Sequence, residues 1–323
     1  MGDRTHGVII GRFMPPHNGH RYLIDFALGC VDRLTILVGT LTSDPIDGAL
    51  RYQWMCELFP EADVIRITEE NPKARKGSPD SYRIWARGIT ERAGDDIDFV
   101  FASEDYGFRL AEELGAVYVP VDPARTVFPV SATMVRRNPI GNWKYIPDIV
   151  RPYFVRKVYV LSEQAGEADA LLERLSDHFH TVCVGDYVSY HAERTGDGGL
   201  SPEFAVRAQL AAEHALARQA ERVLFSASDA IHAWLRAGSE TPLPKELETH
   251  ESIRTNGWSR SRYLICPPQN TSEQVVHDHG ALPLISQSLE VLASHGADVR
   301  VLTGSAEDRF AQAVEAVDDA LRD

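Results

Sequence analysis

The sequence predicts an α/β protein made of two parallel-sheet domains. Strand-like and helix-like segments alternate along the chain, as right-handed βαβ units require, and the alternation runs through two sets of five strands. Between the sets, Trp143-Lys144-Tyr145-Ile146-Pro147-Asp148 and Arg151-Pro152-Tyr153-Phe154 form an aromatic, proline-rich stretch with no Gly/Ser composition, which predicts a short packed joint near residue 152. The domains are therefore read as 1–152 and 153–323.

In the first half, apolar runs predict strands at 6–11, 33–38, 64–67, 99–103 and 116–121, with helices near 20–29, 47–59, 81–93 and 106–114. The second half repeats the pattern with strands at 157–162, 181–185, 222–226, 262–266 and 298–303, closed by an amphipathic helix over 306–321. No short-period repeat or low-complexity segment interrupts either half.

A chain of 323 residues is long for one compact domain, and 44% hydrophobic residues suffice for two ordinary cores. The formal net charge of −14 speaks against a general nucleic-acid binder, which needs a broad basic face. Small phosphorylated ligands need only local cations, and Arg12, Arg51, Arg136 and Arg137 are candidates. Cys30, Cys56, Cys183 and Cys266 lie far apart and form no CxxC pair, so they are expected to be buried free thiols in a reducing compartment. No apolar run approaches the roughly 20 residues that span a membrane, and the N-terminus leads straight into the first strand. A soluble, cytoplasmic protein is expected.

The most informative stretch is Val8-Ile9-Ile10-Gly11-Arg12-Phe13-Met14-Pro15-Pro16-His17-Asn18-Gly19-His20. It runs a buried strand into a turn and opens a helix that carries two imidazoles. If Asn18 or Gly19 begins the helix, the i, i+3 spacing stacks His17 and His20 on one side of its first turn, where free N–H groups and the dipole favour an anion. Gly19 is expected to leave room for a phosphate. A second signal is Val130-Ser131-Ala132-Thr133-Met134-Val135-Arg136-Arg137-Asn138-Pro139. Ser131 can cap a short helix, and the hydroxyls of Ser131 and Thr133 and the guanidinium of Arg136 can meet a phosphate. A capped surface helix with solvated arginines is the competing reading.

The first stretch resembles the HxGH signature of the nucleotidylyltransferase superfamily, and the second its I-S-x-T-x-I-R signature. Together with Val121-Asp122-Pro123-Ala124-Arg125-Thr126, Trp143, Tyr145-Ile146-Pro147 and Phe154-Val155-Arg156, they resemble the bifunctional nicotinamide-mononucleotide adenylyltransferase/ribosylnicotinamide kinase family. The resemblance implies adenylyl transfer from ATP to nicotinamide mononucleotide, giving NAD and pyrophosphate. It implies His17, His20 and Arg136 as catalytic residues and Gly11, Arg12, Phe13, Ser131, Thr133 and Arg51 around ATP. Trp85 would stack on the nicotinamide ring, a cation–π contact of about 0.5–2 kcal/mol. Arg51 is equally readable as an exposed helix charge, and Trp85 as a core residue. Magnesium would ride on the ATP oxygens with no dedicated protein site.

In that family the strand at 157–162 leads into a phosphate loop of glycines, lysine and Ser/Thr. Here the segment is Leu161-Ser162-Glu163-Gln164-Ala165-Gly166-Glu167-Ala168, so by position Glu167 replaces the lysine and Ala168 the hydroxyl residue. Ala227 stands for the first carboxylate of an Asp-x-Asp pair, with Asp229 remaining. A degenerate P-loop kinase-like domain without kinase activity is expected, left to stabilise the other domain, to mediate oligomerisation or to hold a nucleotide. A bifunctional enzyme with an unusual phosphate loop and a non-catalytic nucleotide sensor stay open, as does nicotinate mononucleotide as substrate. Some family members carry a helix-turn-helix; this chain starts at the catalytic strand, so no DNA-binding role is expected. His277-Asp278-His279 is read as a solvated loop, and Lys73, Arg75 and Lys76 as a surface loop with an alternative role as a lid.

Overall fold

A computed structural model describes residues 4–68, 79–196, 199–239, 241, 243–245, 261–268 and 281–322. The segments holding Lys73, Arg75 and Lys76 and His277-Asp278-His279 lie outside the described residues. The chain divides into two compact units, Met1–Val150 and Arg151–Asp323.

The first unit runs β1 (His6–Gly11), α1 (Asn18–Leu28), β2 (Arg33–Gly39), α2 (Gly48–Leu58), β3 (Asp63–Ile67), α3 (Pro79–Ala93), β4 (Phe99–Ala102), α4 (Tyr106–Leu114), β5 (Val117–Pro120) and α5 (Ala132–Arg137). Its strands form one parallel sheet in the order β3-β2-β1-β4-β5, with Val8 opposite Thr35 and Gly7 opposite Phe99. The chain steps outward from β1 to β3 and then returns to the other side of β1. That reversal places a crevice beyond the carboxyl ends of β1 and β4, where open parallel sheets take their ligands. Successive residues of β1 enter opposite cores: Ile9 joins Ile24, Ile36, Met55 and Phe59, while Val8 joins Leu37, Ile89, Val100 and Leu110.

The second unit runs β6 (Arg156–Leu161), α6 (Asp169–His178), β7 (Cys183–Val184), α7 (Tyr187–Thr195), α8 (Pro202–Ala217), β8 (Val223–Ser226), α9 (Ala230–Arg236), β9 (Arg262–Ile265), α10 (Pro283–Ser294), β10 (Asp298–Val301) and α11 (Ala306–Arg322). The parallel sheet is ordered β10-β9-β6-β8-β7 and is also covered on both faces. Two five-stranded parallel sheets with helices are thus the architecture among the described residues.

The strands fall on the expected segments, with ends shifted where side chains replace backbone partners. The strand expected at 181–185 shrinks to Cys183–Val184, since the Thr181 hydroxyl donates to the Val223 carbonyl (2.6 Å) and accepts the Glu221 amide. The one expected at 298–303 stops at Val301; at Thr303 the Gln312 amide takes over both backbone groups. The expectation of buried thiols is corrected: only Cys266 is buried. Cys30 is exposed, because the chain turns just past the end of α1, and Cys56 and Cys183 are half-buried; all four are free. No described helix is long and apolar enough to cross a membrane.

Candidate functional site

Helix α1 begins at Asn18, with His17 as its extended N-cap. The two histidines cap each other. The His20 amide donates to His17 Nδ1 and the His17 amide donates to His20 Nδ1, each at 3.3 Å. The rings consequently lie 3.7 Å apart and 20° from parallel. A ring nitrogen that accepts an N–H carries no proton, so the hydrogen-bond pattern assigns both neutral rings as Nε2–H tautomers. Burial, with the nearby positive charge of Arg125, pushes His17 down to about 4. Burial first, then the neighbouring His17 and Arg125, holds His20 well below its ordinary value. At neutral pH the pair is two stacked, uncharged donors.

The turn before the helix is shaped to hold those rings. Phe13 is buried at positive φ (+45°), and its ring meets His20 edge-on with centroids 5.0 Å apart. It folds back over Gly11, where an added Cβ would come within 2.9 Å of the ring. Phe13 therefore braces His20 from within the core. The room at Gly19 is occupied too: a Cβ there would lie 3.1 Å from the His17 ring, so this glycine accommodates an imidazole. Tyr106, on α4, donates to the Ile10 carbonyl at 2.6 Å and ties the end of β1 to the helix after β4.

The two signatures meet. Ser131 caps α5 by accepting the Met134 amide at 3.2 Å, and Arg136 in the same short helix donates to the Met14 carbonyl and to Thr133 Oγ1 (3.2 Å). Asn18 also donates to the Lys144 carbonyl at 3.0 Å. Residues 122 positions apart in sequence are thereby joined at one end of β1. Trp85, on α3, is half-buried against the core and edge-on to Tyr82, with centroids 5.7 Å apart.

Arg51 is not the exposed helix charge that one reading of the sequence offered. It is fully buried, donating to the carbonyls of Ile46 (3.0 Å), Gly39 (3.0 Å) and Arg12 and to the Asp44 carboxylate. Asp44 also pairs with the half-exposed Arg12. Burial holds Arg51 down to about 10, still a full cation at neutral pH. Sequence reasoning passed over Asp44; nothing in Ser43-Asp44-Pro45 distinguishes it from a turn residue. It also gave Arg125 no role, although this arginine's charge acts on both imidazoles.

In the second unit, the segment at the end of β6 is occupied by its own carboxylates. Glu167 accepts the Gln164 amide at 3.1 Å, and Glu163 accepts the amides of Leu284 (3.2 Å) and Ile285 (3.0 Å) at the start of α10. Arg236 donates to the Ser162 carbonyl at 2.7 Å and pairs with Asp186 at 2.7 Å. Ala227 lies in the core. Asp229 is buried, accepting the His232 amide (2.7 Å) and the Tyr263 hydroxyl (3.1 Å), and burial pushes it up to about 6. Burial, with Arg236 adding to it, pushes His232 down to about 3.

These shifts set a pH response. His17 and His232 bind a proton near 6.5 when unfolded but only near 4 and 3 when folded, so the unfolded state binds more protons in between. Stability is expected to fall as pH drops from 6.5 towards 4. Asp229, raised to about 6, opposes this, because the folded state holds its proton longer. Urea midpoints should drop on acidification, and less so in His17→Asn, which keeps a cap acceptor without a titrating ring; equal drops would exclude His17 as a source.

No protein-family model matches the chain. It is 30% identical over 252 residues to the trifunctional NAD biosynthesis/regulator protein NadR of Escherichia coli (strain K12), which covers 71% of this chain and 61% of that protein. The chain thus spans about three-fifths of that relative's length. Over 151 residues it is 23% identical to the phosphopantetheine adenylyltransferase of Francisella tularensis subsp. novicida (strain U112), covering 46% of this chain and 91% of the relative. Among solved structures, a NadR protein in complex with NAD and AMP-PNP superposes with a TM-score of 0.74, at 21% identity over 99% of this chain and 97% of that one. That likeness is one of fold across both units, while the sequence match carries the kinship. The chain belongs to the NadR-like family.

Proposed function

We propose that this chain is a nicotinamide-nucleotide adenylyltransferase that makes NAD from ATP and nicotinamide mononucleotide. The observation that carries the reading is the stacked His17/His20 pair at the end of β1, tied to α5 through the bond from Arg136 to the Met14 carbonyl. The likeness over 151 residues to a phosphopantetheine adenylyltransferase supports it.

The 5′-phosphate of the mononucleotide is already an anion near neutral pH, so no side-chain base is needed. One of its oxygens attacks the α-phosphorus of ATP in line; a new P–O bond forms, the bond to the β-phosphate oxygen breaks, and pyrophosphate leaves. Catalysis reduces to alignment and charge stabilisation. The Nε2–H groups of His17 and His20 donate to the phosphoryl oxygens, and Arg136, Ser131 and Thr133 hold the phosphates from α5. Arg51 acts from beneath, holding the Arg12 carbonyl and Asp44 so that the turn keeps its shape. Magnesium enters with ATP; among the described residues no group of three or more His, Cys, Asp or Glu could hold a metal ion. Trp85 is the proposed platform for the nicotinamide ring.

The second unit is proposed to lack ribosylnicotinamide kinase activity. Supporting this, the anion partner of the Gln164 amide is the carboxylate of Glu167, which would repel a nucleotide's phosphates, and Asp229 is already bonded to His232 and Tyr263.

The experiment is product analysis by HPLC after incubation with magnesium, ATP and, separately, nicotinamide mononucleotide, nicotinate mononucleotide and nicotinamide riboside. NAD from nicotinamide mononucleotide and nothing from the riboside is the expected result. Dinucleotide from the riboside would show a working phosphate loop. A product only from nicotinate mononucleotide would reassign the substrate, and none from any would leave a nucleotide sensor.

A further inference from the structure

The two imidazoles are neutral donors, so the positive charge that a triphosphate requires has to come from elsewhere. Of the arginines singled out in the first unit, Arg51 is buried with its donors on protein acceptors, Arg12 is paired with Asp44, Arg136 is joined to Met14 and Thr133, and Arg137 is exposed at the far end of α5. Arg125 differs. Its charge lies close enough to both rings to favour their neutral forms. Its own contacts are a 3.2 Å pair with the exposed carboxylate of Glu104, just beyond β4, and a long 3.4 Å bond to the Val130 carbonyl. An exposed pair of that kind contributes little and exchanges readily.

The loop that presents Arg125 is built to stay in place. Asp122 and Arg125 both take positive φ (+45° and +51°), a conformation that side chains other than glycine seldom adopt. The Arg125 amide closes a turn onto the Asp122 carbonyl at 2.9 Å. The Asp122 carboxylate accepts the amides of Thr126 (2.7 Å), Val127 (3.2 Å) and Phe128 (3.3 Å), which holds its own pKa below the usual range. Phe128 then lies against the start of α1, its Cβ 3.6 Å from where a side chain at Gly19 would begin. A rigid loop thus carries one weakly engaged guanidinium to the Val130 carbonyl, next to the Ser131 cap of α5, and to Glu104 just beyond β4, while Phe128 of the same loop lies against the start of α1.

We propose that Arg125 is a phosphate-binding residue of this site, exchanging Glu104 for the phosphate chain of ATP. The assignment rests on the adenylyltransferase reading. Its geometry complements that reading: α5 holds the phosphates from one side through Arg136, and the 122–130 loop supplies the second cation.

The test is calorimetric binding of magnesium–ATP to the full chain, beside the rate of NAD formation, for wild type, Arg125→Gln, Arg125→Lys and Glu104→Gln. Arg125→Gln should weaken ATP binding about tenfold to a hundredfold, the range of one charge-assisted bond, with an unchanged melting midpoint. Arg125→Lys should recover part of the loss, and Glu104→Gln should bind ATP at least as tightly as wild type. Wild-type affinity in Arg125→Gln would overturn the assignment. So would a loss in Glu104→Gln as large as that in Arg125→Gln, because Glu104 would then be the working partner of Arg125. If wild type binds ATP but forms no dinucleotide, the adenylyltransferase reading fails, while the affinities still decide Arg125. Absence of ATP binding in wild type would overturn both.

Discussion

Replacing His17 or His20 by alanine is expected to lower the rate of NAD formation by roughly 10²–10³-fold, the usual effect of removing one preorganised donor to a developing charge. Because the rings cap each other, either change also removes a helix cap worth about 1 kcal/mol, a modest loss of stability. Two further variants separate the roles. His17→Asn places an acceptor where Nδ1 lies, so it should keep the cap and lose the rate. His17→Gln places an amide donor where Nε2 lies; it should recover part of the rate while losing the cap. Recovery by glutamine fits a neutral donor, since no charge is restored. Near wild-type rates in both alanine variants would sink the mechanism, and the measurement is initial NAD formation by HPLC beside a melting curve.

Arg51→Met should be the most destabilising single change in the first unit. It leaves the carbonyls of Ile46, Gly39 and Arg12 without their donor and the buried Asp44 with only the Leu41 amide and its surface partner, Arg12. Removing one member of a buried pair typically costs about 3–5 kcal/mol. For a unit of this size that corresponds to a fall in melting midpoint of roughly 6–20 °C. Arg51→Lys should recover only part, as one ammonium cannot span a planar fork of acceptors. If Arg51→Met instead kept the wild-type midpoint and lost ATP affinity, Arg51 would be a phosphate ligand and not a brace.

The sequence by itself determined the sheet strands and the His17/His20 pair, and the reason is locality. Strand runs announce themselves by apolar content, and an i, i+3 spacing at a helix start brings two rings to one side whatever the rest of the chain does. Ser131 as the cap of α5 is local in the same way. Sequence also places a glutamate, Glu167, where the resemblance implies a lysine, since that is a matter of residue type.

Only the tertiary structure decided what the charged residues do. Arg51 reads as a surface helix charge until the turns at Arg12 and Asp44 fold over it. Gly19 reads as space for a phosphate until the His17 ring fills it. Glu163 lies in the segment that stands for a phosphate loop, yet it caps a helix that begins 120 residues later. Arg125 sits in a family-like stretch but was given no role, because its charge meets the imidazoles only through a turn set by Asp122. In each case the partner is distant in sequence, and a long charged side chain takes its role from the acceptors that folding brings within about 3 Å.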